Sequence, residues 1–168
     1  SPPMTKLLDF VKAHGTAVDG TFNLWIGGGA SAVGAGGSRD QQRGDSAYLN
    51  LIRRLHAHGI PLIAGTDNSA GTTLRRELEM YELAGIPASE VLQIATINAA
   101  RFMREEKDFG SISVGKIADI IVVRGKPAEL VGELIGIETV IRGGRLYDAA
   151  DLRRAGGMRM ATPAARRP

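Results

Sequence analysis

The residue best placed to do chemistry is Asp67. An apolar run at 60–64 (Ile-Pro-Leu-Ile-Ala) leads into Gly65-Thr66-Asp67-Asn68, so a carboxylate leaves the carboxyl end of a short buried strand. In α/β folds ligands bind beyond those strand ends, and a carboxylate there can hold a metal ion or move a proton. The same residues are turn formers, since Asp and Asn bond their own backbone and Gly accepts positive φ. On spacing alone the turn role outranks the site role.

The three histidines invite a metal assignment, but their placement argues against one. His56 and His58 are two apart, which on a helix points them to different faces. His14 and His58 each precede a glycine where a helix should end, and a cation there suits the helix dipole. In a barrel that end lies opposite the active site. All three are read as capping or surface residues. Arg75, Arg76, Glu77 and Glu79 crowd the start of a helix, where acids complement the dipole and i,i+4 charges pair on the surface. They are read as structural.

The stretch 27–37 is glycine-rich. It lacks the Gly-Lys-Ser/Thr of a phosphate loop, and a dinucleotide-binding loop should open directly into a helix. Here eight residues separate Gly37 from a helix expected to start at Asp45 or Ser46. Two readings stand level: a linker, or an active-site lid in which Gly27, Gly28 and Gly29 approach substrate. Trp25, just before it, is assigned to the core ahead of a pocket wall.

The elements that must position these residues form a repeat. Residues 7–15 end in Ala13-His14-Gly15 and are followed by the strand-like 16–21; forty-four residues later, 51–59 end in Ala57-His58-Gly59 and are followed by 60–67. Each unit reads as an amphipathic helix, a left-handed glycine and a buried strand. A second strand is expected at 21–26. Helix then strand, twice, predicts an α/β architecture with a parallel sheet. Further helices are expected from about 73 to 84 and from about Pro87 to Met103, the second with Leu92, Ala95, Ala99 and Phe102 at helical spacing. Beyond Lys107 the pattern turns β-rich: a turn at Gly115, a β-branched run at Ile120–Val123, and two strands between Glu138 and Tyr147 broken by Gly143-Gly144. The sequence divides into 1–107, 108–148 and a basic, flexible tail at 149–168.

Composition bounds the function class. Of 168 residues, 43% are hydrophobic and 23% charged, as in ordinary globular chains. The net charge of +3 is a tail effect: residues 152–168 carry five arginines and no acid, and without them 16 basic face 18 acidic residues. No basic stripe with interleaved aromatics marks a nucleic-acid binder. No apolar run reaches the roughly 18–20 residues of a membrane span. The absence of cysteine excludes disulfides and thiolate metal sites, and cytoplasmic and exported locations both stay open. The opening Ser1-Pro2-Pro3-Met4 is not read as a natural start, so an upstream segment is expected.

The ordered series Ile60-Pro61-Leu62-Ile63-Ala64-Gly65-Thr66-Asp67, Arg76-Glu77-Leu78-Glu79, Ala84-Gly85-Ile86-Pro87, Ala95-Thr96-Ile97-Asn98-Ala99-Ala100-Arg101, Gly115-Lys116-Ile117-Ala118-Asp119 and Val140-Ile141-Arg142-Gly143-Gly144-Arg145 resembles the C-terminal signature of the amidohydrolase superfamily. The imidazolonepropionase-like and prolidase-like branch is nearest. The resemblance covers residues 4–148. It implies the C-terminal part of a (β/α)₈ barrel plus part of a small β-sandwich built from both chain ends. It also implies one or two divalent metal ions, usually zinc. Of that family's ligands, only the Asp after the last strand maps here, onto Asp67, as metal ligand and proton carrier; the remaining ligands would come from a missing N-terminal part of the same enzyme. Relatives often carry His two residues before the Glu of Arg-Glu-Leu-Glu. Arg75 stands there instead, so their substrate contacts do not transfer.

The function so implied is hydrolysis of a C–N bond in a small amide, cyclic amide or dipeptide, with no nucleic-acid or membrane partner and with homo-oligomers allowed. An Xaa-Pro dipeptidase is the alternative among enzymes. A non-catalytic binding module derived from an amidohydrolase is the alternative of another class.

Overall fold

A computed structural model describes residues 2–24, 39–67 and 73–157. Helix α1 (Pro2–Ala13) opens on prolines, whose fixed φ suits a first turn. Strand β1 (Val18–Asp19) follows, then a 3₁₀ turn at Phe22–Leu24, helix α2 (Arg39–Ala57) and strand β2 (Leu62–Ile63). The two strands pair in parallel, Val18 with Leu62 and Asp19 with Ile63. That register is the forty-four-residue offset of the sequence repeat.

Both units end alike. His14 Nδ1 donates to Phe10 O at 2.8 Å, and His58 Nδ1 donates to Arg54 O at 2.9 Å. Gly15 (φ +61°) and Gly59 (φ +69°) occupy the left-handed region, where a Cβ would be strained. Thr16 N–H then closes on Val11 O as Ile60 N–H does on Leu55 O.

Several expectations are corrected. Helix α2 starts at Arg39, so Asp45 and Ser46 lie inside it rather than capping it. The apolar periodicity that signals burial begins only near Tyr48, so the earlier turns are silent in a hydrophobic pattern. Gly37 is thus close to a helix start, not eight residues away. The strand expected at 21–26 is a 3₁₀ turn over Phe22–Leu24, with 25 and 26 outside the described residues. Phe22 folds back over Gly20, where an added Cβ would fall 2.1 Å from its ring.

Helix α3 (Thr73–Leu83) and helix α4 (Ala88–Gln93) complete the first half. The helix expected to run to Met103 is interrupted by a π turn at Ile94–Asn98 before resuming as α5 (Ala99–Met103). Within that turn Thr96 Oγ1 donates to Leu92 O at 2.6 Å, a side chain competing for a helix carbonyl. The core lies among α1, α2, α3, α4 and the strand pair, centred on Leu8, Ile52, Leu55, Leu62, Tyr81 and Val91.

The second half is an antiparallel meander of β3 (Ile120–Val123), β4 (Ile137–Arg142) and β5 (Arg145–Asp148), with a 3₁₀ turn at Val131–Gly136. Val140 pairs with Ile121 on one side and Tyr147 on the other. The expected tail at 149–168 is corrected over its first part. Ala149–Ala155 form helix α6, capped by Asp148, whose Oδ1 accepts from Ala150 N–H (2.8 Å) and Asp151 N–H (3.1 Å). Residues 158–168 lie outside the described residues. Among the described residues no helix is long and apolar enough to cross a membrane.

Candidate active site

The parallel pair presents its carboxyl ends side by side. From β2 the chain continues through Ala64, Gly65 and Thr66 to Asp67, which is exposed and sits at φ +43°. Aspartate is among the few non-glycine residues that tolerate this left-handed region. Beside it, Asp19 ends β1 and lays its carboxylate over Gly65, where a Cβ would meet Oδ1 at 2.1 Å. The glycine is there because the neighbouring carboxylate fills its side-chain space.

Beneath these strand ends lies a buried polar group that the surface reading of 75–79 missed. Glu77 is 0% exposed, on the inner face of α3. One turn on, Tyr81, also 0% exposed, donates its hydroxyl to Ile63 O at 2.9 Å. Burial holds the Tyr81 hydroxyl far above the ordinary tyrosine range, reinforced by the charge and hydrogen bonding of Glu77 and by the charge of Asp19. Its ring meets Phe22 edge-on, centroids 6.3 Å apart, and Phe22 in turn faces Tyr48 at 6.4 Å. Arg75 and Glu79 form the expected i,i+4 pair.

The histidines keep to the helix ends. His56 Nε2 lies 2.9 Å from Glu90 Oε2, joining α2 to α4, while His14 and His58 bond to carbonyls of their own helices. Gly27, Gly28, Gly29 and Trp25 lie outside the described residues. Among the described residues no three His, Asp or Glu side chains converge as a metal cage would require. Asp67, an accessible oxygen donor at a strand end, fits one position of a divalent ligand set.

The amidohydrolase family model matches residues 8–147. The chain belongs to the amidohydrolase family. A 5-methylthioadenosine/S-adenosylhomocysteine deaminase of Thermoanaerobacter pseudethanolicus is 36% identical over 78 residues, 39% of this chain and 18% of the deaminase. An imidazolonepropionase of Syntrophobacter fumaroxidans is 32% identical over 94 residues, 53% of this chain and 22% of that protein. A crystal structure of an Xaa-Pro dipeptidase with methionine in its active site superposes with TM-score 0.69 at 26% identity, over 86% of this chain and 37% of that one. The Aspergillus niger ochratoxinase shares the fold at TM-score 0.68 and 20% identity, over 86% of this chain and 34% of that one. The chain thus spans about a fifth of the length of these two curated relatives.

Proposed function

We propose that this chain supplies the last helix–strand units of an amidohydrolase (β/α)₈ barrel and part of its small β-sandwich, and that the complete protein is a metal-dependent hydrolase of a C–N bond in an amide, cyclic amide or dipeptide. The observation that carries the reading is the exposed Asp67 carboxylate at the carboxyl end of a strand in a parallel pair. Asp67 would hold one of one or two divalent ions, zinc being the ion the family resemblance implies. Such an ion, when bound, activates water and polarises the scissile carbonyl.

The chain's own contribution is proton transfer. An Asp67 carboxylate oxygen takes the proton of the attacking water, then returns it to the leaving nitrogen as the C–N bond breaks. Asp19, one strand over, adds a second negative charge at the same end, which favours a cation there. The Xaa-Pro dipeptidase reading is favoured by the structural match at 26% identity.

Asp67→Asn in the complete enzyme tests the proposal. It keeps the side-chain shape and removes the proton acceptor. Turnover should fall about 100- to 10,000-fold with the melting temperature held. Turnover close to wild type would exclude Asp67 from the chemistry, whereas a complete wild-type protein without hydrolase activity would leave the non-catalytic module as the better reading.

A further inference from the structure

We propose that Tyr81 is the positioning residue for Asp67: its hydroxyl holds the end of β2 through Ile63 O, its ring holds the exit of β1 through Phe22, and together they fix where the Asp67 carboxylate is presented. This inference rests on the reading of Asp67 as ligand and proton carrier.

The need for such a clamp follows from the fold. The β1–β2 ladder is two residue pairs long and ends at Ile63, four residues short of Asp67. Backbone pairing in the described ladder therefore stops before the segment whose direction matters. Asp67 lies at φ +43°, and its carboxylate moves with any shift of the backbone between Ile63 and Thr66. Tyr81 reaches that segment from α3, fully buried, with a 2.9 Å bond to the last paired carbonyl of β2. Its ring stands edge-on to Phe22, three residues past Asp19. One turn earlier on α3, buried Glu77 interacts with the hydroxyl. On the upper side, Asp19 occupies the space over Gly65. The segment leading to Asp67 is thus held from α3 below and from β1 beside it.

A structural tie and a positioning tie make different predictions, and the protein contains a matched control. Arg53 Nε donates to Ala84 O at 3.0 Å, tying the residue after α3 to α2, at the same end of α3 as Tyr81 but with no bond to β2. In the complete enzyme, Tyr81→Phe should lower kcat about ten- to a hundredfold with KM unchanged, the size expected when a catalytic group is misplaced by around an ångström. Arg53→Gln should lower the melting temperature and leave kcat of the folded enzyme unchanged. If Tyr81→Phe does not fold, Phe22→Leu removes the ring that meets Tyr81, along with its contacts to Tyr48 and Gly20, and should lower kcat in the same sense.

Three results separate the outcomes. Loss of kcat in Tyr81→Phe or Phe22→Leu, set against unchanged kcat in Arg53→Gln, supports the proposal. Wild-type kcat in the Tyr81 and Phe22 variants, with Asp67→Asn inactive, overturns it and leaves the function of Asp67 intact. Activity in Asp67→Asn overturns the reading on which it rests.

Discussion

The two halves of this molecule hold themselves together differently. In residues 2–103 large apolar side chains reach full burial: Ile52, Tyr81 and Val91 are at 0% exposure. In residues 104–157 only Val131 and Ala149 are buried, and Val131 belongs to the core of the first half. Ile112 is 81% exposed and Leu146 68%, while Ile121 and Val122 stand half-exposed on β3.

The second half is organised by directional bonds instead. Lys116 Nζ donates to Phe109 O at 3.1 Å and Ser111 Oγ at 2.7 Å, and Asp119 Oδ1 accepts from Gly143 N–H at 2.7 Å, tying the β4–β5 turn to the residue before β3. Its seam with the first half includes the Glu82 carboxylate accepting from Val131 N–H at 3.3 and 3.4 Å. A small meander whose adjacent Ile121 and Val122 stand half-exposed on opposite faces gains little from burial. The contrast separates residues that fix the strand ends from residues whose apolar area still faces solvent.

Predictions that bear on this contrast run from large to small. The greatest effect is the loss of turnover in Asp67→Asn, with stability unchanged, because the site lies at the edge of the packed half and contributes nothing to its core. Ile52→Ala should cost about 2–5 kcal/mol in a urea titration, the range for emptying a packed aliphatic site. A cost near zero would mean that the first half is no better packed than the second.

Alkaline stability should also report on the packed half. The buried Tyr81 hydroxyl ionises far later in the folded chain than in the unfolded one. Its contribution is therefore complete below the unfolded tyrosine value of about 10 and is lost as pH rises above it, by about 1 kcal/mol per pH unit. Comparing Tyr81→Phe with wild type across that window isolates this slope; equal slopes would mean that the hydroxyl is not sequestered. Asp148→Ala should cost about 1 kcal/mol by uncapping α6, read from the same titration.

The smallest effect is expected for Ile121→Thr, within about 0.5 kcal/mol. A loss as large as that of Ile52→Ala would show that something covers Ile121.

What the sequence made legible was local. The glycines after α1 and α2, the histidine caps and the Gly143-Gly144 turn each follow from the chemistry of a few adjacent residues. The forty-four-residue repeat went further, since its offset is the strand register. The features that escaped depend on distant partners. Glu77 reads as a surface acid because charged residues are rarely fully buried, and only packing against the strand ends reveals which face it occupies. Asp19 gains meaning from Gly65, although the repeat offset already set it beside Ile63. Tyr81 shares the Leu74 and Leu78 spacing of an apolar face, which marks it as core without disclosing its hydroxyl bond. Asp148 carried a local signal, an N-cap before Ala-Ala-Asp, which the arginine-rich composition beyond it obscured.

The repeat has one more consequence. The chain enters β1 and β2 through the same doorway: Ala-His-Gly, the same carbonyl acceptors, the same left-handed glycine. Splicing Gly15 directly onto Ile60 would therefore leave an intact helix-to-strand junction while removing one whole stair of forty-four residues.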